Sequence, residues 1–301
     1  MSDDTAAIGV DWGTSSFRAY RFAGDGEILE GRRAQAGILA IDDGAFEDAF
    51  EELIGDWLDA VPDAPVVLSG MIGSRQGWIE TPYLSCPASV DTIADALVPL
   101  TLARGRLIHL APGLSVRAED GVPDVMRGEE VQILGANDML GTPTATLCLP
   151  GTHSKWARVD NRRVVAFTTH MTGEVFDVLR RHSILGRGIE HAAWDDAAFL
   201  AGVARSGAQG GFLHHLFGVR ASGLFGELSP DTAGALLSGL VIGHEIRAAH
   251  PADTVHLVGE DELVELYRRA LEALGHEAVA VAHMAAACGL ALIATRLDRG
   301  R

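Results

Sequence analysis

One order of elements runs twice through this 301-residue chain, and that repetition constrains its fold more than composition does. The first run opens with the apolar stretch 6–10, which ends in a carboxylate, Asp11. The tight turn Gly13-Thr14-Ser15-Ser16 follows, then a second apolar stretch over 17–23. That pattern predicts strand, turn and antiparallel strand. Asp25-Gly26 is a two-residue hairpin signal, and 28–34 returns as a third strand. Phe46, Phe50, Leu53, Ile54, Trp57 and Leu58 recur at helical spacing. Val66-Val67-Leu68 is wholly apolar, as expected of a parallel strand covered on both faces. A helix over 89–98 and a strand over 106–110 complete the run.

The second half repeats this order. A strand over 145–149 ends at Pro150-Gly151-Thr152-His153-Ser154, and 155–159 and 164–168 form a hairpin around Asp160-Asn161. A helix starts near Thr172-Gly173-Glu174, and a longer helical region covers 194–249. A strand over 254–258, a helix over 260–274, a strand over 278–282 and a helix over 284–297 follow. Two related α/β lobes with a cleft between them are expected, 1–141 and 142–301, divided near Gly141-Thr142-Pro143.

Composition limits what such a chain binds. A net charge of −17 argues against nucleic acid, whose phosphates select basic surfaces. It leaves room for small anions, which need only local positive charge. No apolar run approaches the roughly 20 residues of a membrane span. The start, Met1-Ser2-Asp3-Asp4, is acidic and unlike a secretory signal. Cys86, Cys148 and Cys288 lie far apart and match no zinc or redox spacing, so a reducing, cytoplasmic setting is expected. The twelve histidines show no metal-ligand spacing either. A homodimer is the default oligomer.

Four segments carry chemistry. Gly13, Thr14, Ser15 and Ser16 place backbone N–H groups and hydroxyls beside Asp11, a turn able to hold phosphate oxygens while the acid holds a hydrated Mg²⁺. It is no Walker loop, having no Gly-Lys-Ser/Thr. Arg18 is a candidate to stabilise that phosphate, and equally an outward-facing strand residue. Gly151, Thr152, His153, Ser154 and Lys155 hold the matching place in the second half and are expected to form a second phosphate loop. The segment 69–78 is polar and Gly-rich after a parallel strand, where ligands bind. There Arg75 suits a substrate carboxylate, Ser74 and Gln76 suit hydroxyls, and Trp78 suits a carbon skeleton. A helix is expected to open within Asp124-Val125-Met126-Arg127-Gly128-Glu129-Glu130. One of Glu129, Glu130 and Asp124 would then face the cleft as general base, with Glu129 favoured.

The first turn resembles the phosphate loop of the actin, sugar kinase and chaperone ATPase superfamily. Over nearly its whole length the chain resembles the 2-dehydro-3-deoxygalactonokinases. The likeness rests on residues 10–18, on 69–78, on Met126-Arg127-Gly128-Glu129-Glu130, on 149–156, and on Met171-Thr172-Gly173-Glu174 with 181–187. It implies an actin-like, ribonuclease H-like fold: a duplicated, mixed five-stranded sheet with flanking helices. It also implies ATP-dependent, Mg²⁺-dependent phosphorylation of 2-dehydro-3-deoxy-D-galactonate at its 6-hydroxyl, in D-galactonate catabolism. By the superfamily pattern, Gly259 would lie against adenine, and the base would lie on a helix shortly before the second loop. Asp is the usual base in related sugar kinases, so a glutamate is a departure. Two other readings are an exopolyphosphatase or guanosine pentaphosphate phosphatase, and an ATP-driven switch. The first expects an acid close behind the second loop, which Pro150-Gly151-Thr152-His153-Ser154-Lys155 does not offer. The polar 69–78 loop argues against the second.

Overall fold

The first strand carries Asp11 one residue before its end and continues through Trp12. The computed structural model describes residues 4–42, 44–117, 121–186, 189, 194–281 and 283–299. The chain runs β1 (Ala7–Trp12), β2 (Phe17–Phe22), β3 (Ile28–Ala34), α1 (Phe46–Ala60), β4 (Val66–Ser69), β5 (Tyr83–Ser85), α2 (Val90–Asp95), β6 (Val98–Thr101), β7 (Leu107–Leu110), β8 (Gly113–Arg117), β9 (Pro123–Met126) and α3 (Glu129–Leu140). It continues through β10 (Ala145–Leu149), β11 (Ser154–Asp160), β12 (Arg163–His170), α4 (Thr172–His182), α5 (Asp196–Arg205), α6 (Gly211–Leu224), α7 (Pro230–Ala249), β13 (Val255–Leu257), α8 (Asp261–Ala273), β14 (Ala278–Ala280) and α9 (Ala285–Arg299).

Two compact units result. The first takes in Met1–Thr144, Arg158–Phe167 and Ala282–Arg301, and the second Ala145–Ala157 and Thr168–Val281. In the first, the strand order is β3-β2-β1-β4-β7-β6. β1 pairs antiparallel with β2 and parallel with β4, β4 runs parallel to β7, and β6 closes the edge antiparallel. A separate three-stranded sheet has the order β5-β8-β9. The other large sheet has the order β12-β11-β10-β13-β14, so the expected repeat of sheet order is present. The first sheet carries a sixth strand beyond the five expected. β6 contains Pro99, which an edge strand tolerates because one row of its N–H groups needs no ladder partner.

The units depart from a cut at residue 141 in two places. Residues 158–167 of the β11–β12 hairpin count with the first unit, and so does α9. Helix α9 lies against α3 and β1 with little space to spare. A Cβ on Gly135 would stand 2.0 Å from the Ala285 carbonyl oxygen, and one on Gly289 would stand 2.0 Å from that of Val131. On β1, a Cβ at Gly9 would meet Leu290 at 2.8 Å. The last helix of the chain therefore packs as part of the first sheet's cover.

The first unit's core joins Ile8, Val10 and Trp12 of β1 to Phe46, Phe50, Ile54 and Trp57 of α1 and to Val66 and Leu68 of β4. The second unit's core gathers Cys148, Trp156, Phe199, Ile246, Leu257 and Tyr267. The helical region expected over 194–249 is three helices, because Gly210 and Gly211 take positive φ and Pro230 restarts the chain at the first position of α7. Among the described residues, no helix is long and apolar enough to cross a membrane.

Candidate active site

In the first unit, four chain segments converge on Asp11. The β1–β2 register sets Asp11 opposite Arg18, and their charged ends lie 3.6 Å apart. The β1–β4 register sets Asp11 beside Ser69. Gly70 follows with φ +98°, and a Cβ there would lie 2.7 Å from the Trp12 carbonyl oxygen and 3.3 Å from the Asp11 carboxylate. Gly128 has φ +99°, and its Cβ would lie 3.0 Å from Gly70 Cα. Side chains are thus excluded where β1, β4 and the start of α3 meet, and the backbone left-handedness favours glycine at both places. Glu129 is the first residue of α3 and half-buried. Burial raises the Asp11 carboxyl above its ordinary value; Arg18 opposes that rise and the Glu129 charge adds to it.

The turn before β2 is held from one side. The Gly13 N–H donates to the Ser16 carbonyl at 2.9 Å, while the Gly13 and Thr14 carbonyls accept from Ile38 and Leu39 at 3.0 and 3.2 Å. Thr14 and Ser15 are exposed, and Gly13 and Ser16 are partly so. With those carbonyls and the Gly13 N–H committed within the protein, the Thr14, Ser15 and Ser16 hydroxyls are the donors left for an anion.

Glu129 and Glu130 separate clearly. The Glu129 carboxylate accepts the Arg127 N–H at 3.0 Å and remains partly open. Glu130 is buried, with both oxygens accepting the Gly128 N–H at 2.7 and 3.0 Å. Burial, reinforced by Glu129, pushes its carboxyl up to about 8. Asp124 lies in β9, not in the helix, and its carboxylate accepts the Val125 N–H at 2.7 Å. The sequence predicts a helix opening within 124–130, but the pairing of β9 with β8 holds Asp124 in a strand.

The segment 69–78 is only partly a ligand surface. Arg75 is exposed and loosely joined to Glu80 at 3.4 Å, and Gln76 is also exposed. The Ser74 hydroxyl is buried without a hydrogen-bond partner among the described residues. Trp78 packs on Phe46, Phe50 and Trp12 with ring centroids 5.7–6.5 Å apart, so its ring is held against the core. Sequence reasoning gave no role to Arg127. Its buried guanidinium donates to the Thr81 hydroxyl and, at 2.8 Å, to the Thr81 carbonyl, and lies 4.4 Å over Tyr83.

The second loop lies in the second unit. After β10, Gly151 is half-buried and Thr152 and His153 are exposed. Ser154 and Lys155 already belong to β11 and are buried. The Ser154 hydroxyl lies 2.8 Å from the Tyr267 hydroxyl, which donates to Glu245 at 2.6 Å, and Trp156 donates to the same carboxylate at 2.7 Å. That chain anchors β11 and turns Ser154 inward, contrary to its expected place among the phosphate donors. Gly259, just past β13, is brought beside this loop, its Cβ position 3.6 Å from the Pro150 carbonyl oxygen. At the far end of α4, a cavity of about 590 Å³ is lined by Arg180, Arg181 and His182.

Similarity to known proteins gives the family of the chain. The model of the 2-keto-3-deoxy-galactonokinase family matches residues 11–293. The "Probable 2-dehydro-3-deoxygalactonokinase DgoK1" of Rhizobium meliloti (strain 1021) is 41% identical over 277 residues, spanning 88% of this chain and 89% of that protein. The 2-dehydro-3-deoxygalactonokinase of Escherichia coli (strain K12) is 36% identical over 280 residues, spanning 91% and 92%. A crystal structure of a Sinorhizobium meliloti protein, provisionally named a 2-dehydro-3-deoxygalactonokinase, has a TM-score of 0.87 at 39% identity, covering 97% of this chain and 99% of that one. The matches give no support to the hydrolase alternative. The chain belongs to the 2-keto-3-deoxy-galactonokinase family.

Proposed function

We propose that the protein is an ATP-dependent kinase that phosphorylates 2-dehydro-3-deoxy-D-galactonate on its 6-hydroxyl, giving the 6-phospho sugar acid and ADP, in D-galactonate catabolism. The relatives' names supply the substrate. The observation that carries the chemistry is the convergence of the Asp11 and Glu129 carboxylates on the corner where Gly70 and Gly128 leave no room for a side chain of their own. An acid at a helix start, open on one side, suits the task of taking the proton of an attacking hydroxyl. Glu129 fills that role. Glu130 does not, because its oxygens are committed to the Gly128 N–H in a buried site.

In the first unit, Thr14, Ser15 and Ser16 donate to the transferred phosphate and Gly13 shapes their turn, with Arg18 adding charge where negative charge develops. Arg75, Gln76 and Ser74 hold the sugar acid, Arg75 through its carboxylate, and the orphaned Ser74 hydroxyl gains a partner there. In the second unit, Gly151, Thr152, His153 and Lys155 serve the nucleotide phosphates, and Gly259 lets the adenine approach the backbone. Among the described residues, no group of three metal-binding side chains forms a cage. A lone carboxylate such as Asp11 fits Mg²⁺ instead, an ion that keeps most of its waters and leans on substrate phosphates. The ion supplies charge neutralisation at those phosphates when bound. The three free cysteines suit a reducing cytoplasm.

The test is a coupled ADP-release assay with Mg²⁺-ATP and one of three acceptors: the galactonate-derived compound, its gluconate epimer, or none. Release that requires the galactonate compound is expected. Equal release without any acceptor would overturn the kinase reading.

A further inference from the structure

The first turn of α4 lies against the second loop. No side chain caps this helix at Met171. The loop does so with its backbone: the Glu174 N–H donates to the Thr152 carbonyl oxygen at 3.0 Å. Gly173 permits the approach, since a Cβ there would stand 2.5 Å from the Gly151 carbonyl oxygen and 2.8 Å from Thr152 Cα. The Glu174 carboxylate then reaches the loop's histidine, with Oε2 2.5 Å from His153 Nε2.

Both side chains are close to half exposed, at 46% and 43%, so core packing does not impose the contact. An ion pair this open adds little to folding. What it does fix is the direction of the imidazole. With the Nε2 proton given to Glu174, Nδ1 is the nitrogen left for a ligand. Only the ring carrying protons on both nitrogens donates at each, so that form bridges a carboxylate and a phosphate oxygen.

We propose that Glu174 is a positioning residue: it holds His153 so that the second ring nitrogen donates to a phosphate oxygen of the bound nucleotide. The proposal rests on reading the second loop as a nucleotide site. It predicts that Glu174 acts only through His153.

The experiment titrates AMPPNP with Mg²⁺ into the wild type, E174A, E174Q, H153A and the E174A/H153A double variant by calorimetry. A charge-assisted hydrogen bond implies an affinity about tenfold weaker in E174A and in H153A. The double variant should bind as H153A does, with no further loss. E174Q, which still accepts the Nε2 proton but lacks the charge, should fall between E174A and the wild type. A purely structural fault would lower the stoichiometry and leave the dissociation constant of the folded fraction unchanged. Unchanged affinity in E174A, or losses that multiply in the double variant, would overturn the proposal and leave the kinase reading standing. A wild type that binds no nucleotide would overturn both.

Discussion

Glu130 holds a carboxyl where water does not reach, and that single group makes stability depend on pH. Burial lifts it from an ordinary 4.5 to about 8. Between those values the folded chain binds its proton more tightly than the unfolded chain does. The contribution is therefore fully present below about pH 4.5, declines as pH rises through the window, and is lost above about 8. Glu130→Gln keeps an oxygen for the Gly128 N–H and cannot ionise. Its melting temperature should match the wild type near pH 5 and exceed it increasingly toward pH 8. A constant gap across that range would show that the group does not titrate as the buried site requires. At the same scale, Trp78 shows what a sequence hides. An aromatic in a polar, Gly-rich stretch reads as a ligand platform until the Phe46–Phe50 face of α1 comes into place beneath it.

Helix α3 carries Glu129, and the fit of α9 against it sets how firmly that helix is held. Both helices meet through glycines whose missing side chains let backbones touch. Gly289→Ala or Gly135→Ala would insert a methyl group where a carbonyl already stands, at a cost of about 2 kcal/mol or more. Gly218→Ala is the control within α6, where nothing lies within 4 Å of the new Cβ. It should stabilise by up to about 1 kcal/mol through helix propensity. Denaturant unfolding separates the cases, and equal effects at all three sites would contradict the packing. None of this was legible in the sequence. Periodicity placed β1 to β4, α1, and the closing β13-α8-β14-α9 run, because each signal lies within a few neighbouring residues. It did not show that α9 returns to the first unit, nor that Pro99 sits in an edge strand. Those facts depend on partners distant in the chain. The acids of 124–130 look like one helix start for the same reason: β9 is a strand through its pairing with β8.

For the whole molecule, the repeat of element order foretold two sheets of matching strand order, and the family matches span nearly the full chain. The proposed site rests on residues whose chemistry is local in the sequence, Asp11 with its turn and Glu129 at the helix start. It was not legible where one residue's task depends on another's place, as with Ser154 committed to Tyr267 or Glu174 held to His153. The central claim is that Glu129, beside Asp11 at the start of α3, takes the proton of the acceptor hydroxyl. The most direct measurement compares turnover of Glu129→Gln and Glu130→Gln at saturating ATP and sugar acid, with AMPPNP affinity measured in parallel. Loss of a general base predicts that Glu129→Gln turns over about 10²-fold or more slower, with nucleotide affinity within about twofold of the wild type. Glu130→Gln should keep most of its turnover. Full turnover in Glu129→Gln, or the larger loss in Glu130→Gln, would contradict the account.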